Sequence, residues 1–301
     1  MFSSFYFVFN YLYNKYASKL NDEKILKLLV NNSFNGSLSN YQLFDLKRMN
    51  STNFLVKYSL GIDLNKTDFV TETDDSEHIS TKTSDYVEDP APVDINNPIV
   101  YIYNSHQTEA YDKTNLEAYN ITPTVMMASY ILRERLNDLG IPSIVETGNI
   151  TNILNNNNWS YGYSYKASRI LIENALASNA SIKYLIDIHR DSVGHDLSTI
   201  TINDINYAKI MFVIGSEYDT YESNLAFAKQ LRLKIDELYP GLCRGIAVKS
   251  GKGVNGVYNQ DLSPRAILIE IGAQYNNIEE VNNTTGIIAD VLFSYIEGEQ
   301  V

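Results

Sequence analysis

The chain contains a single cysteine, Cys243, and this scarcity limits the kinds of site it can hold. One thiol excludes an intramolecular disulfide and any zinc cluster built on cysteines, so a metal ion would need His and carboxylate ligands. The 301 residues include 24 basic and 36 acidic side chains, which gives a net charge of −12. An acidic chain without a basic stripe argues against nucleic-acid binding, and we expect no nucleic-acid partner.

Three familiar catalytic patterns are also missing from the sequence. The chain has no HExxH helix, which excludes the zinc proteases built on that motif. It has no GxSxG elbow, so a Ser-His-Asp hydrolase is disfavoured. The glycine-rich stretch SGKGVNG at 250–256 lacks the spacing and the following Ser or Thr of a phosphate-binding loop.

The amino-terminal third carries no pattern that indicates chemistry. Its first residues, MFSSFYFVFNYLY, lack the basic flank of a signal peptide and stop short of the roughly 20 residues that a spanning helix needs. They are interpreted as a weak anchor remnant, an interfacial segment or a packed helix, which leaves membrane association open. We predict a small helical preface over residues 1–64. Residues 65–98 are acidic and rich in Thr and Ser, which predicts a linker.

Apolar strands and amphipathic helices alternate from residue 99 to the end of the chain. The pattern predicts strands at 99–103, 143–146, 184–189, 208–215, 244–249 and 266–271. It predicts helices at 125–139, 166–177, 222–239 and 278–297, the first opened by Thr122–Pro123 and ended by Gly140. The Asn- and Tyr-rich segment 151–165 is predicted to be a long loop at the edge of a cleft. This alternation predicts a three-layer α/β sandwich with a mostly parallel sheet over residues 99–301.

Polar side chains follow three of the predicted strands at their carboxyl ends. His106 and Glu109 come directly after the first strand. Asp187 and His189 lie two residues apart at the end of KYLIDIHRDS, so they leave the sheet on the same face. Glu270 lies near the end of the last strand. Because the carboxyl ends of parallel strands meet at one edge of a sheet, we expect these side chains to converge.

This set of side chains indicates metal-dependent hydrolysis. Two His and one carboxylate are common protein ligands of a catalytic zinc ion, which leaves a fourth position for water. A further carboxylate that does not bind the metal can take the proton from that water, whose pKa zinc lowers toward about 7. Arg190, next to His189, is a candidate donor to the oxyanion that forms at an amide carbonyl.

Six motifs follow one another along the predicted domain: IYNSHQTEAY (102–111), YGYSYKASR (161–169), IDIHRDS (186–192), IMFVIG (210–215), YPGLCRGI (239–246) and YNQDLSPRAILIEIG (258–272). In these motifs the chain resembles the stage II sporulation protein P family, a branch of the zinc-dependent N-acetylmuramoyl-L-alanine amidases. The family pattern commonly has a second His where Asn104 stands, and this difference favours the retained His106 as the ligand.

The resemblance implies a role for each of the candidate residues. His106 and His189 would bind Zn²⁺, and Glu270 would be the catalytic carboxylate. Glu109 is the expected third ligand, with Glu117 as the alternative.

The resemblance also implies a substrate and a location. The enzyme would cleave the amide between N-acetylmuramic acid and L-alanine in peptidoglycan, in septal wall remodelling of the sporulation type. It would act outside the bacterial cytoplasm, at the cell wall or membrane, beside a second peptidoglycan-cleaving enzyme. Two other interpretations stay open: a peptidoglycan-binding module with a decayed site, for which Asn104 is the support, and a zinc peptidase that cuts the stem peptide.

Overall fold

The computed structural model describes residues 86–114 and 122–299. The predicted preface, most of the predicted linker and Glu117 lie outside the described residues. Across the described ranges, no helix combines the length and the apolar character needed to cross a membrane. The strands are β1 Val100–Tyr103, β2 Ser143–Val145, β3 Tyr184–Asp191, β4 Thr199–Ile202, β5 Ile205–Ala208, β6 Ile210–Gly215, β7 Cys243–Lys249 and β8 Ala266–Ala273. The helices are α1 Val125–Asp138, α2 Ile150–Asn156, α3 Ser164–Ser178, α4 His195–Ser198, α5 Tyr221–Leu238 and α6 Ile278–Glu299.

Six strands form the central sheet in the order β2-β1-β3-β8-β6-β7, and β4 and β5 form a separate hairpin. Strands β2, β1, β3 and β8 are parallel to one another. Strand β6 pairs with β8 in the antiparallel direction, and β7 is parallel to β6. The predicted mostly parallel sheet is therefore confirmed. Because β6 and β7 run opposite to the other four strands, their amino ends lie at the edge of the sheet where β1, β3 and β8 end.

Helices cover both faces of this sheet, as predicted for a three-layer sandwich. On one face, Tyr101 and Tyr103 of β1 pack with Ile172 of α3. On the other face, the side chain of Asn104 accepts a hydrogen bond from Ser129 of α1. Helix α6 packs against α1 and against α5. Strand alternation thus assigns α3 to one outer layer and α1 to the other.

Two local predictions are wrong. The first helix begins at Val125, but its N-cap is Thr124, in extended backbone, rather than Thr122, so Thr122–Pro123 does not open it. The predicted loop at 151–165 contains helix α2, whose N-cap Asn149 accepts a hydrogen bond from the Asn152 amide. Ile150 and Leu154 of α2 are buried, so burial of one apolar face outweighs the poor helix propensity of its asparagines.

The end of the predicted linker is attached to α1. Tyr130 donates a hydrogen bond to the Val87 carbonyl (2.8 Å), and the Arg133 guanidinium pairs with the Asp89 carboxylate. Arg133 also donates to the Ala91 carbonyl at 2.9 Å. The side chains of Arg133 and Asp89 are 3% and 7% exposed, so this is a buried ion pair. Segment 86–91 is therefore packed on the α/β domain rather than free of it.

Replacing Arg133 by Ala should destabilise the domain by about 3 kcal/mol, because it leaves the Asp89 carboxylate buried without its partner. Equilibrium denaturation in urea measures this change. Glu173→Ala is the matched control: its i,i+4 pair with Arg169 is exposed on the surface of α3, where such pairs contribute about 0.3–0.5 kcal/mol. Equal losses in the two variants would contradict a buried pair at Arg133.

Candidate metal centre

The loop after β1 folds back so that Glu109 returns to the sheet. The Glu109 amide donates to the His106 carbonyl at 3.1 Å, which closes a tight turn. The Glu109 carbonyl accepts from the Val125 amide at 3.1 Å, and its carboxylate accepts from the Arg190 amide at the same distance. The loop is therefore held by α1 on one side and by β3 on the other.

His106, Glu109 and His189 form a cluster at the carboxyl edge of the sheet. One carboxylate oxygen of Glu109 lies 3.4 Å from Nδ1 of His106, and the other lies 3.4 Å from Nδ1 of His189. Each of the three residues offers one ligand atom, and these atoms lie within 4.8 Å of one another. Ligands bound tetrahedrally to one zinc ion at about 2.1 Å lie about 3.4 Å apart, so the spacing fits such an ion.

The orientation of His189 is set by a buried carboxylate. Nε2 of His189 lies 3.0 Å from Oδ1 of Asp187, whose side chain is fully buried, and 2.9 Å from Oγ of Ser105. The Ser105 amide and hydroxyl both donate to Asp187. A neutral imidazole that donates its Nε2–H to Asp187 keeps the Nδ1 lone pair directed at the cluster. This is the arrangement of the outer carboxylate behind a metal-binding His.

The charges of the cluster stabilise one another. Burial alone would lower the pKa of His189, but the Asp187 and Glu109 carboxylates hold that pKa well above its usual range. Burial alone would raise the pKa of Glu109, but His189 and His106 hold it well below its usual range. Without a cation, the cluster therefore pairs an ionised Glu109 with a protonated His189, and binding of a cation at Nδ1 of His189 would release that proton.

Glu270 lies beside His189 in the next strand. The two residues are register partners in the β3–β8 pair, so their side chains leave the sheet on the same face. Burial raises the pKa of Glu270 to about 8; the Asp191 carboxylate contributes to the rise, and the Arg244 guanidinium opposes it. A carboxyl group whose pKa lies near neutrality can both accept and return a proton.

Arg244 reaches the same edge of the sheet and was not among the predicted site residues. It stands near the start of β7, and its Nη1 donates to Oδ2 of Asp191 at 2.6 Å. Its position depends on the reversed direction of β6 and β7, which turns an amino end toward the site. The alternation of strands and helices in the sequence contains no signal of this reversal.

The Arg190 side chain contacts the loop that carries His106 and Glu109. Its Nε donates to the Ala110 carbonyl at 2.9 Å, and its Nη1 donates to the Asp191 carbonyl at 3.2 Å. Arg190 also lies where the β3–β8 register shifts, between His189 and Asp191. Its role as donor to an oxyanion stays a prediction, since these contacts assign it to positioning of the loop.

Tyrosines form the wall of the site on the α3 side. Tyr161 stacks on His106, with ring centroids 4.9 Å apart and an angle of 23°. Tyr165 lies 5.2 Å from His106 and 6.2 Å from His189, and Tyr258 packs edge-on against Tyr165. Tyr258 has positive φ (53°), a strained conformation for a bulky residue that the tertiary structure maintains. The sequence motifs include these tyrosines, but no sequence pattern predicts that their rings contact the imidazoles of His106 and His189.

Asn104 belongs to the opposite side of the sheet. Its amide donates to the Ile188 carbonyl at 2.6 Å and accepts from Ser129 of α1 at 2.9 Å, and the residue is 2% exposed. Asn104 therefore serves packing against α1 and is not part of the cluster of His106, Glu109 and His189.

The fold and the site define an α/β protein with a candidate His-Glu-His metal centre at the edge of its sheet. The family model described as Stage II sporulation protein P (SpoIIP) matches residues 27–293. The chain belongs to this family, whose name refers to sporulation.

Two known proteins illustrate the similarity. The chain is 37% identical over 210 residues to stage II sporulation protein P of Bacillus subtilis (strain 168), an alignment that covers 67% of this chain. It spans about half the length of that relative, 52%. A solved structure of the CwlD amidase from Clostridioides difficile, in complex with the GerS lipoprotein, is similar with a TM-score of 0.42 and 13% identity. That match covers 67% of this chain and 97% of the CwlD chain.

The Asp187→Asn variant should bind Zn²⁺ about 10- to 100-fold more weakly, because an amide carries no negative charge and offers one acceptor oxygen where the carboxylate offers two to Ser105 and His189. Competition with a chromophoric chelator at constant pH measures the affinity, and circular dichroism checks the fold. Asp261→Asn is the matched control, since Asp261 pairs with Arg169 instead. Equal zinc affinity in a folded Asp187→Asn protein would contradict the orienting role.

Proposed function

We propose that this protein is a zinc-dependent N-acetylmuramoyl-L-alanine amidase, which hydrolyses the amide between the lactyl group of muramic acid and L-alanine in peptidoglycan. The observation that carries the proposal is the position of the Glu109 carboxylate, whose two oxygens each lie 3.4 Å from Nδ1 of a His. Glu270, a second carboxylate, stands beside this cluster in register with His189. Membership of a sporulation and cell-wall family supports the choice of substrate.

The donor set suits zinc. Two imidazole nitrogens and one carboxylate oxygen are the ligands of many catalytic zinc sites, and here they would be Nδ1 of His106, Nδ1 of His189 and an oxygen of Glu109. Bound there, zinc would polarise the amide carbonyl and lower the pKa of a water molecule toward about 7.

The remaining steps fall to side chains of this protein. Glu270 would accept a proton from the attacking water and return it to the L-alanine nitrogen as the carbon–nitrogen bond breaks. Asp187 would hold the Nε2–H of His189 throughout, so that the imidazole does not rotate. Arg190 would keep Glu109 in place, because its backbone amide donates to the Glu109 carboxylate and its Nε donates to the carbonyl of the adjacent Ala110.

The biological setting is part of the same proposal. Peptidoglycan lies outside the cytoplasm, so we propose an extracytoplasmic protein at the bacterial cell wall or membrane. The family name and the Bacillus subtilis relative support a role in wall remodelling during sporulation. Work beside a second peptidoglycan-cleaving enzyme and membrane attachment through residues 1–64 are further parts of this proposal.

The alternative interpretations share the fold and differ in chemistry. A decayed binding module rested on Asn104, but Asn104 contacts Ile188 and Ser129 on the far side of the sheet. A zinc peptidase would use the same ligands and cut a different amide of the stem peptide. The products of the reaction distinguish these three possibilities.

Incubation of purified peptidoglycan with the zinc-loaded protein should release stem peptides that begin with a free L-alanine amino group. The glycan strands left behind should carry free lactyl carboxyl groups. Mass spectrometry of both fractions checks this result, and a chelator should abolish release until zinc is restored. Peptides cut internally would instead identify a peptidase. Stoichiometric zinc without any release would identify a binding module.

Glu270→Gln should lower the hydrolytic rate by about 10²- to 10⁴-fold, because the amide cannot accept the proton of the attacking water. The variant should still bind one zinc per chain, since Glu270 is not a ligand. Glu279→Gln, at an exposed position in the first turn of α6, is the matched control and should cleave at the wild-type rate. A Glu270→Gln protein that cleaves as fast as the control would exclude this residue as the proton acceptor.

A further inference from the structure

A group of three aromatic residues extends from the metal centre to the surface. We call Trp159, Tyr161 and Tyr163, in the turn between α2 and α3, the aromatic rim. Trp159 is half-buried and packs on a small apolar cluster that includes Ile150 and Leu154. Tyr161 and Tyr163 are 44% and 50% exposed. Large exposed rings grouped beside a site are typical of a binding surface.

The aromatic rim is continuous with the cluster of His and Glu. One face of Tyr161 stacks on His106 at 4.9 Å, and the Tyr163 ring lies 6.0 Å from that of Trp159. A ligand in contact with the rim therefore lies next to a proposed zinc ligand.

The turn that carries the rim is held firmly. The Ser164 hydroxyl donates to the Tyr161 carbonyl at 2.6 Å, and the Tyr163 amide donates to the Ser160 carbonyl at 3.0 Å. The Lys166 ammonium lies 4.1 Å from the centroid of the Trp159 ring. Rings fixed in this way lose little conformational freedom when a ligand binds.

The segment that carries the rim is itself uncharged. Residues 147–165 contain no charged side chain, although 20% of the whole chain is charged. Four consecutive asparagines, 155–158, are exposed beside the rim and offer amide donors and acceptors. Aromatic faces next to amides suit a pyranose ring, which has an apolar C–H face and hydroxyl groups around its edge. The Lys166 ammonium lies 4.1 Å from the centroid of the Trp159 ring and 5.8 Å from that of Tyr163, so the rings themselves engage the cation beside the rim.

We propose that the aromatic rim is a subsite for the glycan strand, in which a pyranose ring stacks on Tyr163 and a neighbouring part of the strand contacts Tyr161. This proposal rests on the proposed function for the identity of the polymer. The stacked sugar would fix the strand so that a lactyl amide lies over His106, Glu109 and His189. The subsite would thus select amides that are attached to a glycan strand over amides in free peptides.

The sequence provides a built-in reporter, since Trp159 is the only tryptophan. Peptide-free glycan strands should change the fluorescence of Trp159 in the wild-type protein, whereas free stem peptides should not. Isothermal titration with the same strands should show that Tyr163→Ala weakens binding by roughly 3- to 10-fold, the effect of losing one aromatic stacking contact. Tyr163→Phe, which keeps the ring, should bind within about 2-fold of wild type.

Leu233→Ala is the matched control, because Leu233 is 49% exposed on α5 and is not part of the rim. It should bind the strands as wild type does. Tyr163→Ala with wild-type affinity for the strands would overturn the proposal. So would strands that bind the wild-type protein without changing Trp159 fluorescence, a result that needs no variant to fold.

A short muramoyl-L-alanyl peptide separates this subsite from the amidase activity. Cleavage of that compound together with glycan binding that does not depend on Tyr163 would overturn the subsite and leave the proposed function standing. Binding that depends on Tyr163 without cleavage of any muramoyl peptide would overturn the amidase assignment and leave the glycan subsite standing.

Discussion

The contact on which the site depends most is that between Asp187 and His189. Asp187 is fully buried, and it receives hydrogen bonds from the amide and hydroxyl of Ser105 as well as facing Nε2 of His189. One carboxylate thus joins the β1 loop to β3 and fixes the direction of an imidazole. A buried carboxylate is costly unless its acceptor positions are filled, and here three donors fill them. The hydrogen bonds that offset the cost of burying Asp187 therefore also fix the orientation of the His189 ring.

The convergence of His106, Glu109, His189 and Glu270 could be predicted from the sequence, because it depends only on topology. Each residue follows or ends an apolar strand, and parallel neighbours end at the same edge. The periodic strands and the longer helices were predictable for the same reason: burial on one or both faces leaves a clear pattern of apolar residues. The candidate ligands needed no knowledge of side-chain contacts.

The rest of the site depends on features that such patterns do not contain. The reversal of β6, which brings Arg244 to Asp191, follows the β4–β5 hairpin, where Asn203 and Asp204 have positive φ. An Asn-Asp pair is a weak turn signal, and the flanking strands are only four residues each. Helix α2 could not be predicted because its asparagines are poor helix formers that are typical of loops. The stacking of Tyr161 and Tyr165 on the imidazoles depends on how α3 lies against the sheet, and the hydrogen bond of Asn259 to the Tyr165 carbonyl helps to set that position.

The distribution of charge explains why a divalent cation suits this edge of the sheet. Asp187, Glu109, Asp191 and Glu270 approach one another here, and Asp191 and Glu109 both raise the pKa of Glu270. Arg244 pairs with Asp191, and the Arg190 guanidinium contacts the carbonyls of Ala110 and Asp191. A cation held by His106, Glu109 and His189 would add positive charge where the carboxylates accumulate. It would also oppose the like charges that favour the protonated form of Glu270. Binding of the ion would therefore favour the ionised form of Glu270, which is the form that accepts a proton.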